Sequence, residues 1–108
     1  MAPKTIPAEV KKAVETIVDH YNTKELSHFG MAYCPRFRGK YVYLDRDDGD
    51  GPGPICRLTY TGDMKSWEFA IYKYSADRYD PEEWWFPGAE MVDGTVEGAL
   101  EAGMKAYQ

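Results

Sequence analysis

Between Lys40 and Tyr74 the chain reads KYVYLDRDDGDGPGPICRLTYTGDMKSWEFAIYKY, three alternating runs separated by two stretches of turn residues. Successive side chains of an extended strand point to opposite faces of a sheet, so this pattern predicts strands with one covered and one open face. Val42 and Leu44 share one face of the first run, with Tyr41, Tyr43 and Asp45 on the other. In the second run Cys56, Leu58 and Tyr60 oppose Ile55, Arg57 and Thr59. In the third, Trp67, Phe69 and Ile71 oppose Glu68, Ala70, Tyr72 and Tyr74. The first set is a core. The second is a band of tyrosines and charges, and it is expected to stay open. Arg46 to Pro54 is turn chemistry throughout and is expected to form an exposed loop.

A sheet with one apolar face needs helices to cover it. The segment 7–21 carries Val10, Ala13, Val14, Ile17, Val18 and Tyr21 at helical spacing, with Pro7 in the first turn and Asn22 as the expected left-handed stop. The segment from Thr95 to Tyr107 repeats the pattern through Val96, Ala99, Leu100, Gly103 and Tyr107, with Thr95 placed to cap it. Gly98 and Gly103 each cost this helix about 1 kcal/mol relative to alanine. Glycines at that cost imply close packing against the sheet or the first helix.

Upstream of the sheet, Phe29, Met31 and Tyr33 alternate with polar or small residues and predict one more strand. Pro35 must end it or confine it to an edge, and Gly39 suits the turn that follows. Ser75 to Asp93 is the least regular stretch. Tyr79 to Glu83 reads as a loop or a single helical turn, and Trp84, Trp85 and Phe86 as a short strand or a plug over the core edge. The whole predicts one α+β domain over residues 1–108: a mainly antiparallel four-stranded sheet with the N- and C-terminal helices packed on one face, in the order α-β-β-β-β-α.

A chain of 108 residues buries a working core without disulfide or metal staples. No apolar run approaches the roughly 20 residues of a membrane span, and the N-terminus lacks a signal-peptide h-region, so no membrane association and a cytoplasmic location are expected. Cys34 and Cys56 are then reduced thiols. The net charge of −5 counts against nucleic acid as partner without closing it off, because a local basic patch can override it.

The residues FPGAEMVDGTVEGAL, Phe86 to Leu100, resemble a motif of the HicB-like antitoxin family. That motif runs leucine-proline-glycine, a short spacer, Gly-Asp-Thr, then Glu and Ala-Leu on a helix. Pro87, Gly88, Thr95, Glu97, Ala99 and Leu100 fall in that order, with Asp93-Gly94 in swapped order. The resemblance implies a β-β-β-α unit like a partial double-stranded-RNA-binding domain.

Signatures of catalysis or metal binding fail on spacing. A calcium loop begun at Asp45 would put Gly49 and Asp50 at the fifth and sixth positions and Cys56 at the twelfth, which breaks the required register. His20, His28, Cys34 and Cys56 show no zinc-ligand spacing. Cys34 paired with His28 or His20 lacks anything in sequence to lower the thiol pKa. Glu82-Glu83 and Asp47-Asp48 lie in polar loops, and GDGPG is not a phosphate loop. No catalytic residue, metal or cofactor is therefore assigned, and the chain is read as a non-enzyme.

The candidate site is the tyrosine face: Tyr41, Tyr43, Tyr72 and Tyr74 around Arg57, with Arg36, Arg38 and Lys40 nearby at the first hairpin tip. Tyrosine and arginine are interface residues, so the leading reading is a protein-binding or regulatory module whose partner is another protein or a second copy. The alternative is an RNA-binding or HicB-like antitoxin-type domain, since such surfaces also stack bases. The plainest reading is a solvent-facing sheet whose tyrosines and charges make favourable cross-strand pairs.

Overall fold

The computed structural model describes residues 3–108. Helix α1 (Ala8–Tyr21) buries Val10, Val14 and Val18, the stripe read from its periodicity. It does not stop at Asn22, whose backbone stays right-handed (φ −58°). The chain continues through a π-helical turn, Asn22–Leu26, and a 3₁₀ turn, Ser27–Phe29, and the left-handed stop falls on Gly30 (φ 67°). Asn22 acts through its side chain instead. Its amide donates to Tyr33 O at 3.0 Å and accepts from Tyr33 N at 2.8 Å, satisfying both backbone groups of that edge residue.

Five strands follow: β1 (Ala32–Arg38), β2 (Tyr41–Asp47), β3 (Pro52–Thr59), β4 (Glu68–Lys73) and β5 (Arg78–Asp80). They form one antiparallel meander in sequence order. The α+β class and antiparallel sheet agree with the sequence reading, and three details differ. First, there are five strands, not four. Tyr79 and Asp80, expected in a loop, pair with Tyr72 and Ile71. A tight turn returns them, closed by Ala76 N to Lys73 O at 3.2 Å with Asp77 left-handed at φ 51°. Aspartate tolerates that conformation better than most residues.

Second, β1 begins at Ala32, and Phe29 is 71% exposed in the preceding turn. The strand runs through Pro35, which the outermost position allows because no further strand needs its missing N–H. Third, the expected loop from Arg46 to Pro54 shrinks to a turn, because β2 extends to Asp47 and β3 starts at Pro52. Leu44 pairs with Cys56 and Asp45 with Pro54, which leaves Ile55 as a bulge. That bulge turns Ile55 inward, 3% exposed, although alternation placed it on the open face.

Helix α2 (Val96–Ala106) starts at Thr95, whose Oγ1 accepts from Gly98 N at 3.0 Å. Both of its costly glycines sit in contact. A Cβ on Gly103 would lie 2.4 Å from the Tyr33 hydroxyl and 2.6 Å from Ile55 Cγ2, and one on Gly98 would lie 2.6 Å from Met91 O. Val42, Leu44, Cys56, Leu58, Tyr60, Trp67, Phe69 and Ile71 are all buried with residues from α1 and α2 in a single core. Trp84 and Phe86 close its edge against Phe69 at centroid distances of 5.9 Å each, while Trp85 is 94% exposed.

The shortened β2–β3 turn also places Arg46 inside, at 2% exposure. Its guanidinium donates to Gly103 O at 3.2 Å and to Tyr107 O, and pairs with Asp48 at 2.7 Å. These carbonyls belong to the C-terminal end of α2, where a cation is favoured by the unpaired acceptors and the dipole. One strand residue thus ties the end of α2 to the sheet.

Candidate binding face

The strand register places Tyr41, Tyr43, Arg57 and Tyr72 on the face away from the helices, and Tyr74 follows directly after β4 beside Tyr72. Tyr43 lies opposite Arg57, Arg57 opposite Ala70, and Tyr72 opposite Tyr79. The rings form an unbroken run: Tyr41 to Tyr43 at 6.1 Å, Tyr43 to Tyr79 at 5.3 Å, Tyr79 to Tyr72 at 5.0 Å and Tyr72 to Tyr74 at 4.8 Å between centroids. Tyr107, from the end of α2, extends it past Tyr74 at 5.4 Å. Ala70, a small residue in the middle of this face and itself buried, leaves the rings room to lean across β4.

Tyr79 and Tyr107 were not assigned from sequence. Tyr79 sits in a three-residue strand too short to show alternation, and Tyr107 had been counted in the apolar stripe of α2. Three of the hydroxyls, all towards the Tyr74 end, are tethered. Tyr74 Oη donates to Pro54 O at 2.9 Å, Tyr107 Oη to Tyr72 O, and Tyr72 Oη to Asp77 Oδ1. These bonds hold the rings upright and leave their faces and edges as the presented surface.

Arg57 lies at the centre. Its Cζ stands 4.7 Å from the Tyr41 ring centroid and 5.6 Å from that of Tyr79. Its Nε is buried with no hydrogen-bond partner, and it joins none of the ion pairs among the described residues. Arg36 differs. It sits 4.9 Å from the Tyr43 ring, and its guanidinium grips Asp45 at 2.5 and 3.2 Å. The hydrogen bond to Asp45 holds its pKa above the ordinary arginine value.

Around the outer edge of β4 the face folds into a cleft of about 490 Å³, lined among others by Lys40, Tyr41, Arg57, Trp67, Glu68, Phe69 and Trp84. Trp67 is 4% exposed, and its Nε1 is a second buried donor without an acceptor. Leaving a buried donor unpaired costs on the order of 1–3 kcal/mol.

Burial raises the pKa of Tyr79, Tyr74 and Tyr107 above the ordinary 10.0, and raises Tyr21 and Tyr33 further. A pKa raised on folding means that the unfolded chain ionises first. The stabilisation is therefore complete below pH about 10 and is lost as pH climbs above it. In an alkaline titration the tyrosinate absorbance of most tyrosines is expected to rise together with the loss of near-ultraviolet circular dichroism. Full ionisation with the fold intact would contradict this placement.

Neither cysteine is poised as a nucleophile. Burial first, then Asp47 and Asp45, raises the Cys34 thiol, and Cys56 is fully enclosed and raised by burial. Among the described residues no three of His, Cys, Asp and Glu converge as a metal site, and no helix is long and apolar enough to cross a membrane. No family model, curated protein or solved structure matches the chain.

Proposed function

We propose that the protein is a non-enzymatic binding module whose open tyrosine face docks a protein, and that the partner it fits best is a second copy of the same chain. The observation that carries this reading is the unbroken tyrosine run around an arginine that joins no ion pair among the described residues. Tyrosine offers large contact area at little conformational cost, and an unpaired arginine at the centre of such a patch is typical of residues that dominate interface energetics.

Charge layout argues for self-association. The Tyr41 end of the face carries Arg38, Lys40 and Arg57, opposed by Glu68, while Asp47, Asp50 and Asp77 lie towards the Tyr74 end, with Arg36 and Asp45 paired to each other between them. Two copies stacked face to face about a two-fold axis would set each basic end over an acidic end. Sedimentation velocity over a concentration series tests this. A reversible dimer that Tyr43→Ala or Tyr72→Ala dissociates supports it; a monomer at every concentration counts against it.

The stacked rings beside Arg36, Arg38 and Lys40 favour one second reading, the RNA-binding role implied by the HicB-like resemblance. Binding to single-stranded RNA that weakens steeply with salt and vanishes in Arg57→Ala would replace the first reading with this one.

A further inference from the structure

The cleft at the outer edge of β4 is a gap in the covering of that edge. On one side Trp67 N donates to Gly94 O at 2.9 Å, and on the other the β5 ladder begins at Ile71 opposite Asp80. Glu68, Phe69 and Ala70 between them have no strand neighbour on this side. Above the gap stand Pro81, half-exposed Trp84 and Val92, and across the open face Tyr41 and Arg57. Its 490 Å³ falls within the roughly 300–1,000 Å³ usual for small-molecule sites.

Its lining combines aromatic walls (Tyr41, Phe69, Trp84) with Trp67 and Arg57, whose enclosed Nε1 and Nε find no acceptor among the described residues. Two such donors beside one cleft are uncommon, because buried polar groups are nearly always paired. The cations Lys40 and Arg57 stand against the single carboxylate of Glu68, so the local charge favours an anion although the whole chain carries −5. An occupant suited to these walls is flat and apolar, with a charged acceptor at one end.

We infer that the β4-edge cleft is a binding site for a small aromatic carboxylate, its ring between Tyr41 and Trp84 and its carboxylate received by the Arg57 guanidinium, with the enclosed Trp67 indole as the nearby reporter. The site shares Tyr41 and Arg57 with the open face, so its ligand would compete with a second copy for them, and its test is read on the monomer at low protein concentration. A carboxylate forms a charge-assisted pair with arginine that a neutral amide does not. The anion therefore supplies the selectivity.

Indole-3-acetate is the probe, titrated into the ¹⁵N-labelled full chain while the three tryptophan indole cross-peaks are followed, with Trp67→Phe used to assign the buried one. A saturable shift of the Trp67 indole N–H is expected, with a dissociation constant on the order of 1 mM or tighter. Neutral indole-3-acetamide should bind at least about tenfold more weakly, as should the acetate to Arg57→Met. The amide comparison uses unaltered protein, so it remains decisive even if Arg57→Met folds poorly. Absence of a saturable Trp67 shift, equal binding of acetate and amide, or shifts confined to the exposed Trp84 and Trp85 would each overturn the inference.

Discussion

Arg46→Met is expected to destabilise the fold by about 3 kcal/mol or more, the loss characteristic of breaking a buried, hydrogen-bonded charge network. Methionine nearly preserves volume, so the effect isolates the guanidinium. That group is 2% exposed and reaches three kinds of partner: Asp48, the carbonyls of Gly103 and Tyr107, and the Tyr33 ring 5.8 Å away. Removing it leaves the Tyr107 carbonyl without its side-chain donor, the Gly103 carbonyl with only Tyr107 N at 3.0 Å, and the Asp48 carboxylate, half-exposed, without its cation. Water can rescue Asp48, so most of the loss comes from the Arg46 contacts with the end of α2 and with the Tyr33 ring. Urea denaturation measures it, and amide exchange should quicken first over Gly103 to Tyr107. A change below about 1 kcal/mol would mean that the capping of α2 is incidental.

Gly98→Ala should also be strongly destabilising, by about 2 kcal/mol or more, with the opposite sign to the usual helical substitution. In an open helix the change gains about 1 kcal/mol. Here the new methyl would stand 2.3 Å from Asp93 Oδ1 and 2.6 Å from Met91 O. The Asp93 carboxylate cannot simply swing away, because it accepts from Thr95 N at 3.0 Å and from Thr95 Oγ1 at 2.6 Å. That threonine is itself the α2 cap, so relieving the clash costs the cap as well. Thermal unfolding of Gly98→Ala beside Gly53→Ala gives the contrast, since a Cβ on Gly53 meets only the Tyr74 hydroxyl at 3.4 Å. Equal melting temperatures would refute the packing account.

These two sites show what local pattern can and cannot reveal. Alternation in the strands located the core and the open face, because the side-chain period of a strand depends only on neighbours in sequence. The glycines of α2 announced close contact through their intrinsic cost, though not which atoms they touch. Arg46 was invisible: charged, set among Asp and Gly, it reads as loop, and only the long-range approach of the α2 C-terminus makes its burial worthwhile. Ile55 was misassigned because a bulge breaks the two-residue period, and Tyr79 because three residues are too few to display one. The open face was therefore legible in its strand-borne members, Tyr41, Tyr43, Arg57 and Tyr72, with Tyr74 just past the end of β4. The partners that complete it arrive through β5 and the end of α2.

The claim at the centre of this account is that the open tyrosine face meets a second copy of the chain. A dilution series of ¹⁵N–¹H spectra tests it most directly, because each amide reports its own surroundings. Concentration-dependent shifts are predicted along Arg36, Tyr41, Tyr43, Arg57, Tyr72 and Tyr79, with none at Lys11, Glu15 and Asp19 on the exposed side of α1. Spectra unchanged with concentration, or shifts centred on α1 or on Trp85, would contradict it.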